Sequence, residues 1–145
     1  MSSTKPTNPK DAVATSRLDL SLFPSTGTIY GALGCTEGDC KYGGYNWRVA
    51  GIRWSIYDAA IRRHLDKLRD GEWEDKDTHV PHLASVLASA AIMVDAWEAG
   101  KLTDDRPPKL QTAALLSRFE IIVKHLQGMF TNPGRYTEAG KNDSD

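Results

Sequence analysis

The stretch from Tyr57 to Trp97 constrains this chain more than any other, because it reads as two helices joined by a short acidic loop. In its first part Tyr57, Ile61, Leu65 and Leu68 recur at helical spacing, while Arg62, Arg63, Asp66, Lys67 and Arg69 fall on the opposite side. His64 sits among the apolar positions. Gly71-Glu72-Trp73-Glu74-Asp75-Lys76-Asp77-Thr78 follows, a breaker and then a run of acids. Pro81-His82 opens the second helix, since proline suits a first helical turn. From Leu83 to Val94 there is no charge, and Leu83, Val86, Leu87, Ala90, Val94 and Trp97 mark its main apolar stripe. A helix that is apolar or small nearly all round is buried on most sides. The centre of the fold is therefore expected here.

The rest of the chain supplies helices to surround it. Thr28 to Tyr42 predicts a helix with Ile29, Leu33, Thr36 and Cys40 along one stripe. After the break Asp104-Asp105-Arg106-Pro107-Pro108, a further helix is expected over Leu110 to Phe130, with Leu115, Phe119, Ile122, Val123 and Leu126 as an amphipathic stripe and His125 at the surface. Leu18, Leu20 and Leu22 alternate as a strand would, but no second strand is available to pair with them. An extended arm packed across the helices is the expectation. The class is all-α with four helices, in a single domain over residues 8–130. Residues 1–7 and 131–145 are polar and read as disordered tails.

Composition narrows the functional classes. The 145 residues are enough for one domain with a real core, 40% are hydrophobic, and the net charge is −1. Without a basic excess, neither a nucleic-acid binder nor a membrane-surface binder is expected. No apolar signal core or membrane-length stretch is seen, so a cytoplasmic protein is expected. Cys35 and Cys40 point to different faces of a helix and are read as reduced thiols.

Chemistry-bearing residues gather around the central pair. His64 and His82 face the core and are joined by a loop carrying Glu72 and Asp75. The loop draws the end of one helix to the start of the next, so all four side chains can converge on a metal. Oxygen ligands favour Mg²⁺ or Mn²⁺, and imidazole moves the preference toward Mn²⁺. Each residue also has a plain alternative: a hydrogen-bonded core histidine, or a solvated loop acid near a helix N-terminus. Glu37 and Lys41 stand four apart, either as an exposed helix ion pair or as a metal ligand and a phosphate contact. Gly43-Gly44-Tyr45-Asn46-Trp47-Arg48 offers flat rings for stacking a base, an amide for its edge and a guanidinium for phosphate. It can equally cap a small core.

These segments carry a resemblance. Asn8-Pro9-Lys10-Asp11, Glu37 through Gly43, Tyr45-Asn46-Trp47-Arg48, His64-Leu65, Gly71-Glu72 with Asp75, His82-Leu83-Ala84 and Asp104-Asp105-Arg106-Pro107 occur in an order that resembles the phage dATP/dGTP diphosphohydrolase N-terminal family. That family is similar to the MazG-type all-α nucleotide pyrophosphohydrolases and includes the MazZ-type enzymes. The likeness covers about residues 8 to 108 and leaves the last helix outside. It implies a four-helix MazG-like bundle with an N-terminal arm and an added C-terminal helix, assembled as a homodimer or homotetramer. It implies hydrolysis of a purine deoxynucleoside triphosphate, dGTP before dATP, to the monophosphate and pyrophosphate, with two or three Mg²⁺ or Mn²⁺ ions. For MazZ-type enzymes it further implies that the dGMP so made is a precursor for the 2-aminoadenine that replaces adenine in some phage DNA.

Carried onto this chain, the resemblance makes Glu37, Glu72 and Asp75 metal ligands, with His64 and His82 as further ligands or proton handlers. Glu37, His64, Glu72 and Asp75 are then the catalytic set. Asn8, Lys10, Lys41 and Arg48 are expected on the substrate, and Tyr45, Asn46 and Trp47 at its base. One departure is visible. MazG-type enzymes carry EExxE on one helix and ExxD on the next, whereas the matching helices here offer His64 and His82-Leu83-Ala84-Ser85. Glu72-Trp73-Glu74-Asp75 is an ExxD lying in the loop. The alternative class is a nucleotide-binding or assembly protein without turnover.

Overall fold

The computed structural model describes residues 8–142; the tail expected over 1–7 lies outside them, as do residues 143–145. The described chain is mostly helical, which is the all-α class expected, and divides into two compact units, the boundary in sequence falling after Arg106. The span expected as one domain, 8–130, takes in parts of both. No helix among the described residues is long and apolar enough to cross a membrane.

The first unit begins with helix α1 (Pro9–Ala14), where Asn8 caps the first turn by accepting from the Lys10 N–H at 3.0 Å and Pro9 supplies a helical φ. The leucines expected to form a packed extended arm instead lie around a short 3₁₀ turn, Leu20–Leu22, with Leu18, Leu20 and Leu22 all exposed. Asp19 closes that turn by accepting from the Ser21 N–H, so local capping outcompetes extension.

Three long helices make the core: α2 (Ser25–Tyr42), α4 (Trp54–Arg69) and α5 (His82–Glu98), with the four-residue α3 (Trp47–Ala50) between the first two. Helix α5 packs against both α2 and α4, as its uncharged run predicts. The residues that do the packing differ from those expected. His82, Ala84, Ser85, Ala88 and Ala96 are buried, Leu83, Val86 and Leu87 are half-buried, and Ala90, Val94 and Trp97 are exposed. The reason is close approach. At Gly34 a Cβ would collide with the Ala84 carbonyl oxygen and stand 2.7 Å from the Ala88 Cβ, so α2 meets α5 backbone to backbone over small residues. On α4, likewise, His64 takes a packed position while Leu65 is 44% exposed.

Two ties fix the ends of α4 and α5. Strand β1 (Ile52–Arg53) pairs in parallel with β2 (Leu102–Thr103), Ile52 against Leu102 and Arg53 against Thr103. Gly51, at φ 75°, lets the chain come close enough for the Ile52 N–H to donate to Lys101 O at 2.9 Å. Asp105 then reaches back to the first turn of α4, accepting from the Ser55 N–H at 2.8 Å and from its hydroxyl.

In the second unit, helix α6 (Thr112–Met129) matches the amphipathic helix expected, and His125 is exposed as expected. Beyond it the polar segment read as disordered contains a hairpin: β3 (Arg135–Thr137) runs antiparallel to β4 (Gly140–Asn142). Gly140 at φ 118° and a 2.8 Å bond from the Thr137 hydroxyl to the Gly140 carbonyl close the turn, which needs no apolar pattern.

The Gly34 contact yields a stability prediction. Gly34→Ala is expected to destabilise the protein by roughly 1–3 kcal/mol, the usual range for overpacking, and to lower the melting temperature by several degrees. Unchanged melting would mean that the helices separate without cost. Gly38→Ala, where nothing lies within 4 Å of the added carbon, serves as the comparison.

Candidate active site

Three cavities lie side by side in the first unit. The smallest, about 150 Å³, lies between α2, α4 and α5 and is lined by several charged and polar side chains. Glu37 and Lys41 enter it from α2, His64 and Tyr57 from α4, and Ser85 and Ser89 from α5, with Asn46 and Trp47 at its edge. Glu37 and Lys41 are paired at 3.0 Å, and that hydrogen bond and charge hold the Lys41 ammonium above its ordinary pKa. Helical spacing puts both on the face that Gly34 presses against α5.

Behind His64 runs a chain of hydrogen bonds. Nδ1 of His64 stands 2.9 Å from Nδ1 of the fully buried His82, whose Nε2 stands 3.1 Å from Oε2 of Glu72. The proton inventory assigns the tautomers. A carboxylate only accepts, so His82 donates from Nε2 to Glu72; neutral His82 then accepts at Nδ1, and His64 donates from its own Nδ1. The remaining lone pair of the neutral pair is on Nε2 of His64. Burial, and then the neighbouring His82, push the His64 pKa below its ordinary value, which keeps the ring neutral near neutral pH. Nothing in the chain is wasted: no buried side-chain nitrogen or oxygen among the described residues lacks a partner.

Asp75 is employed differently. Its Oδ1 accepts from the N–H groups of Asp77 at 2.9 Å and Thr78 at 3.0 Å, which together with the Asp75–Val80 backbone bond folds the acidic loop. Those donors, Thr78 first, lower its pKa. The backbone bond from His82 N–H to Trp73 O, 3.0 Å, then seats the start of α5, and Pro81 stands just before the first turn rather than in it.

The Tyr45–Arg48 segment is occupied by a residue far along the chain. Asp95 on α5 accepts from the Trp47 indole N–H at 2.6 Å and from Arg48 through a bidentate pair at 2.8 and 2.7 Å. Arg48 also lies 4.7 Å over the Tyr45 ring, which stacks on Trp47 at 5.0 Å. These bonds, Arg48 first, pull the Asp95 pKa from 3.8 to about 2. Arg48, expected on phosphate, is committed to a carboxylate, and Trp47 to the same one. Asn46 is the member left with its amide unused for capping. Asn8 and Lys10 lie exposed on α1, outside the linings of these cavities.

The expected metal ligands therefore do not assemble as one group. Both ring nitrogens of His82 are engaged, Asp75 folds the loop, and among the described residues no three of His, Cys, Asp and Glu stand close enough to share an ion. Glu37 and His64 alone line the polar cavity. One carboxylate and one imidazole suit a single ion whose other ligands are substrate phosphates and water; they do not suit a protein-held cluster. Cys35 and Cys40 are both free, and burial raises the Cys35 thiol pKa.

An all-α unit with a polar cavity between helices, backed by a carboxylate–imidazole chain, has the makings of a small-molecule hydrolase. The family described as dATP/dGTP diphosphohydrolase, N-terminal, matches residues 7–106, and the chain belongs to it. Its name places the chain among nucleotide pyrophosphatases. Neither the curated proteins nor the solved structures contain a match.

The Asp95 latch gives a pH prediction. A carboxyl depressed from 3.8 to about 2 adds stability that is present above 3.8 and lost as the pH falls through about 2. Arg48→Ala is expected to return the Asp95 pKa toward 3.8, read by NMR titration of its carboxyl carbon. An unmoved titration would show that the guanidinium does not hold Asp95 in solution.

Proposed function

We propose that this protein hydrolyses a purine deoxynucleoside triphosphate, dGTP before dATP, to the monophosphate and pyrophosphate. The observation that supports it most is the meeting of Lys41, Glu37 and His64 in one cavity, in a chain of this family. The triphosphate lies with its phosphates toward Lys41. Nε2 of His64 takes a proton from a water that attacks the α phosphorus, and pyrophosphate leaves as the α–β anhydride bond breaks. Charge forming on His64 is shared along Nδ1 toward His82 and Glu72, which hold the ring's tautomer and orientation. A divalent ion, Mg²⁺ or Mn²⁺, bound by Glu37 and the phosphates would neutralise charge at the reacting centre. The dGMP formed is the precursor of 2-aminoadenine that the family resemblance implies.

The test is pyrophosphate release from a panel of deoxynucleoside triphosphates with Mg²⁺ or Mn²⁺. Glu37→Gln and His64→Asn are each expected to lower turnover by about a hundredfold or more, the scale of general-base loss, without loss of fold. Asp75→Asn keeps the accepting oxygen of the loop and is expected to stay within a few-fold of the parent. Absence of turnover with every nucleotide, while binding persists, would favour the second reading, a nucleotide-binding or assembly protein. The engagement of both His82 nitrogens and of Asp75 by groups within the chain is the observation on that side.

Assembly is part of the same proposal. Val94 and Trp97 on α5 and Ile29 and Leu33 on α2 are exposed apolar residues, more than a monomer of this size needs at its surface. A homodimer or homotetramer built on α5 is expected in light scattering at micromolar concentration, and a monomer there would remove this part of the reading.

A further inference from the structure

We infer that the base and sugar of the nucleotide are held in the cavity bounded by Ile52, Arg53 and Ile56, on the far side of Asn46 from the Tyr45–Trp47 stack. This deepens the reading above by assigning the base subsite, and it rests on that reading.

Two cavities border the polar one, and each is a candidate for the base. The first, about 670 Å³, lies between the β1–β2 tie and the start of α4, and shares Tyr42, Asn46, Tyr57 and Ser89 with the polar cavity. The second, about 510 Å³, contains Tyr45 and Trp47 and shares Cys35, Trp47 and Ile92 with it. Both have room for a purine, so size does not decide.

Charge and free hydrogen-bonding groups do. The second cavity is lined by Asp39 and by Asp95, whose charge Arg48 already takes up, and by no free cation. Its aromatic residues are spent: the Trp47 indole N–H is donated to Asp95, and the Tyr45 ring is covered by Trp47 and Arg48. The first cavity is lined by Arg53 and by no carboxylate. Its apolar wall comes from Ile52, Ile56 and Ala60, and Tyr42 and Tyr57 line the boundary it shares with the polar cavity. Asn46 lies on that boundary, and its amide offers a donor and an acceptor, as the edge of a purine requires. A nucleotide with its phosphates at Lys41 and its base against Ile56 passes Asn46 on the way.

The test compares filling each cavity. Ala60→Phe fills the first, Ile56→Trp does so from a residue already 59% exposed, so that folding is not at stake, and Ala91→Phe fills the second. The probes are α,β-methylene-dGTP and inorganic triphosphate, each with Mg²⁺, measured by calorimetry. Ile56→Trp and Ala60→Phe are expected to weaken α,β-methylene-dGTP by about tenfold or more, the scale of a lost base contact, and to leave inorganic triphosphate unchanged. Ala91→Phe is expected to change neither. Weakening by Ala91→Phe and not by Ile56→Trp would overturn the assignment and return the base to the Trp47 side. A shift in oligomeric state with unchanged nucleotide affinity would also overturn it, making the cavity part of a contact between copies. If the parent binds inorganic triphosphate no less tightly than the nucleotide analogue, there is no base subsite and the assignment fails while the phosphate site stands. If it binds neither, the nucleotide reading itself fails.

Discussion

The contact of Gly34 with Ala84 and Ala88 is the constraint from which the rest of the first unit follows. With no side chain between them, α2 and α5 approach until backbone meets backbone, and rotation or sliding of either helix would drive a carbonyl into a Cα. Such a contact specifies orientation more sharply than interleaved leucines would. Glu37 and Lys41 lie further along the same face of α2, and Ser85 and Ser89 lie beside the alanines on α5, so the contact that joins the helices also aims these groups at one space. The polar cavity is what remains where the two helices, so held, are joined by α4.

His82 is the second fixed point. Burying an imidazole completely is costly unless both nitrogens are satisfied, and here they are, by Glu72 on one side and His64 on the other. Two Nδ1 atoms 2.9 Å apart share one proton between them. A second proton between those two Nδ1 atoms would set two N–H groups against each other, so His82 must accept there, and Nε2 of His64 is the nitrogen left to take a proton. Burial and the neighbouring ring lower the His64 pKa in keeping with this. The pair joins the end of α4 to the start of α5 independently of the loop, and so couples the packing of two helices to the protonation of one residue in the cavity.

Much of this was legible in the sequence, and the parts that were not share a cause. The helices of the core and the central place of α5 follow from periodicity, and His64 among the apolar positions of α4 did mark a packed histidine with His82 as its neighbour. The packing stripe of α5 was misread because hydrophobicity favours Leu, Val and Trp, while the contact was made by small residues at a four-residue spacing, Ala84 and Ala88, against a glycine. The acid of the loop nearest to the turn, Asp75, was read by its charge, although its position two and three residues before two free N–H groups suited a turn-closing role. The Tyr45–Arg48 loop could not be read locally at all. Its partner, Asp95, lies 47 and 48 residues away from Arg48 and Trp47, and only the fold brings it there.

That distant partner also clarifies the electrostatics of the proposed reaction. Of the cations near the cavities, Arg48 is neutralised by Asp95 and Lys41 is paired with Glu37. The polar cavity taken with its own ion pair is therefore close to neutral, and a fully ionised triphosphate entering it meets little net attraction from the groups that line it. Binding then requires either that Glu37 exchange Lys41 for another cation or that the phosphates arrive already partly neutralised. Both are met if a divalent ion enters with the substrate and is taken up by Glu37, which frees the Lys41 ammonium for a phosphate oxygen. On this view the Glu37–Lys41 pair is the resting form of the site, and one carboxylate on the protein is enough, because the substrate supplies the oxygens that the acidic loop, folded on Asp75, does not.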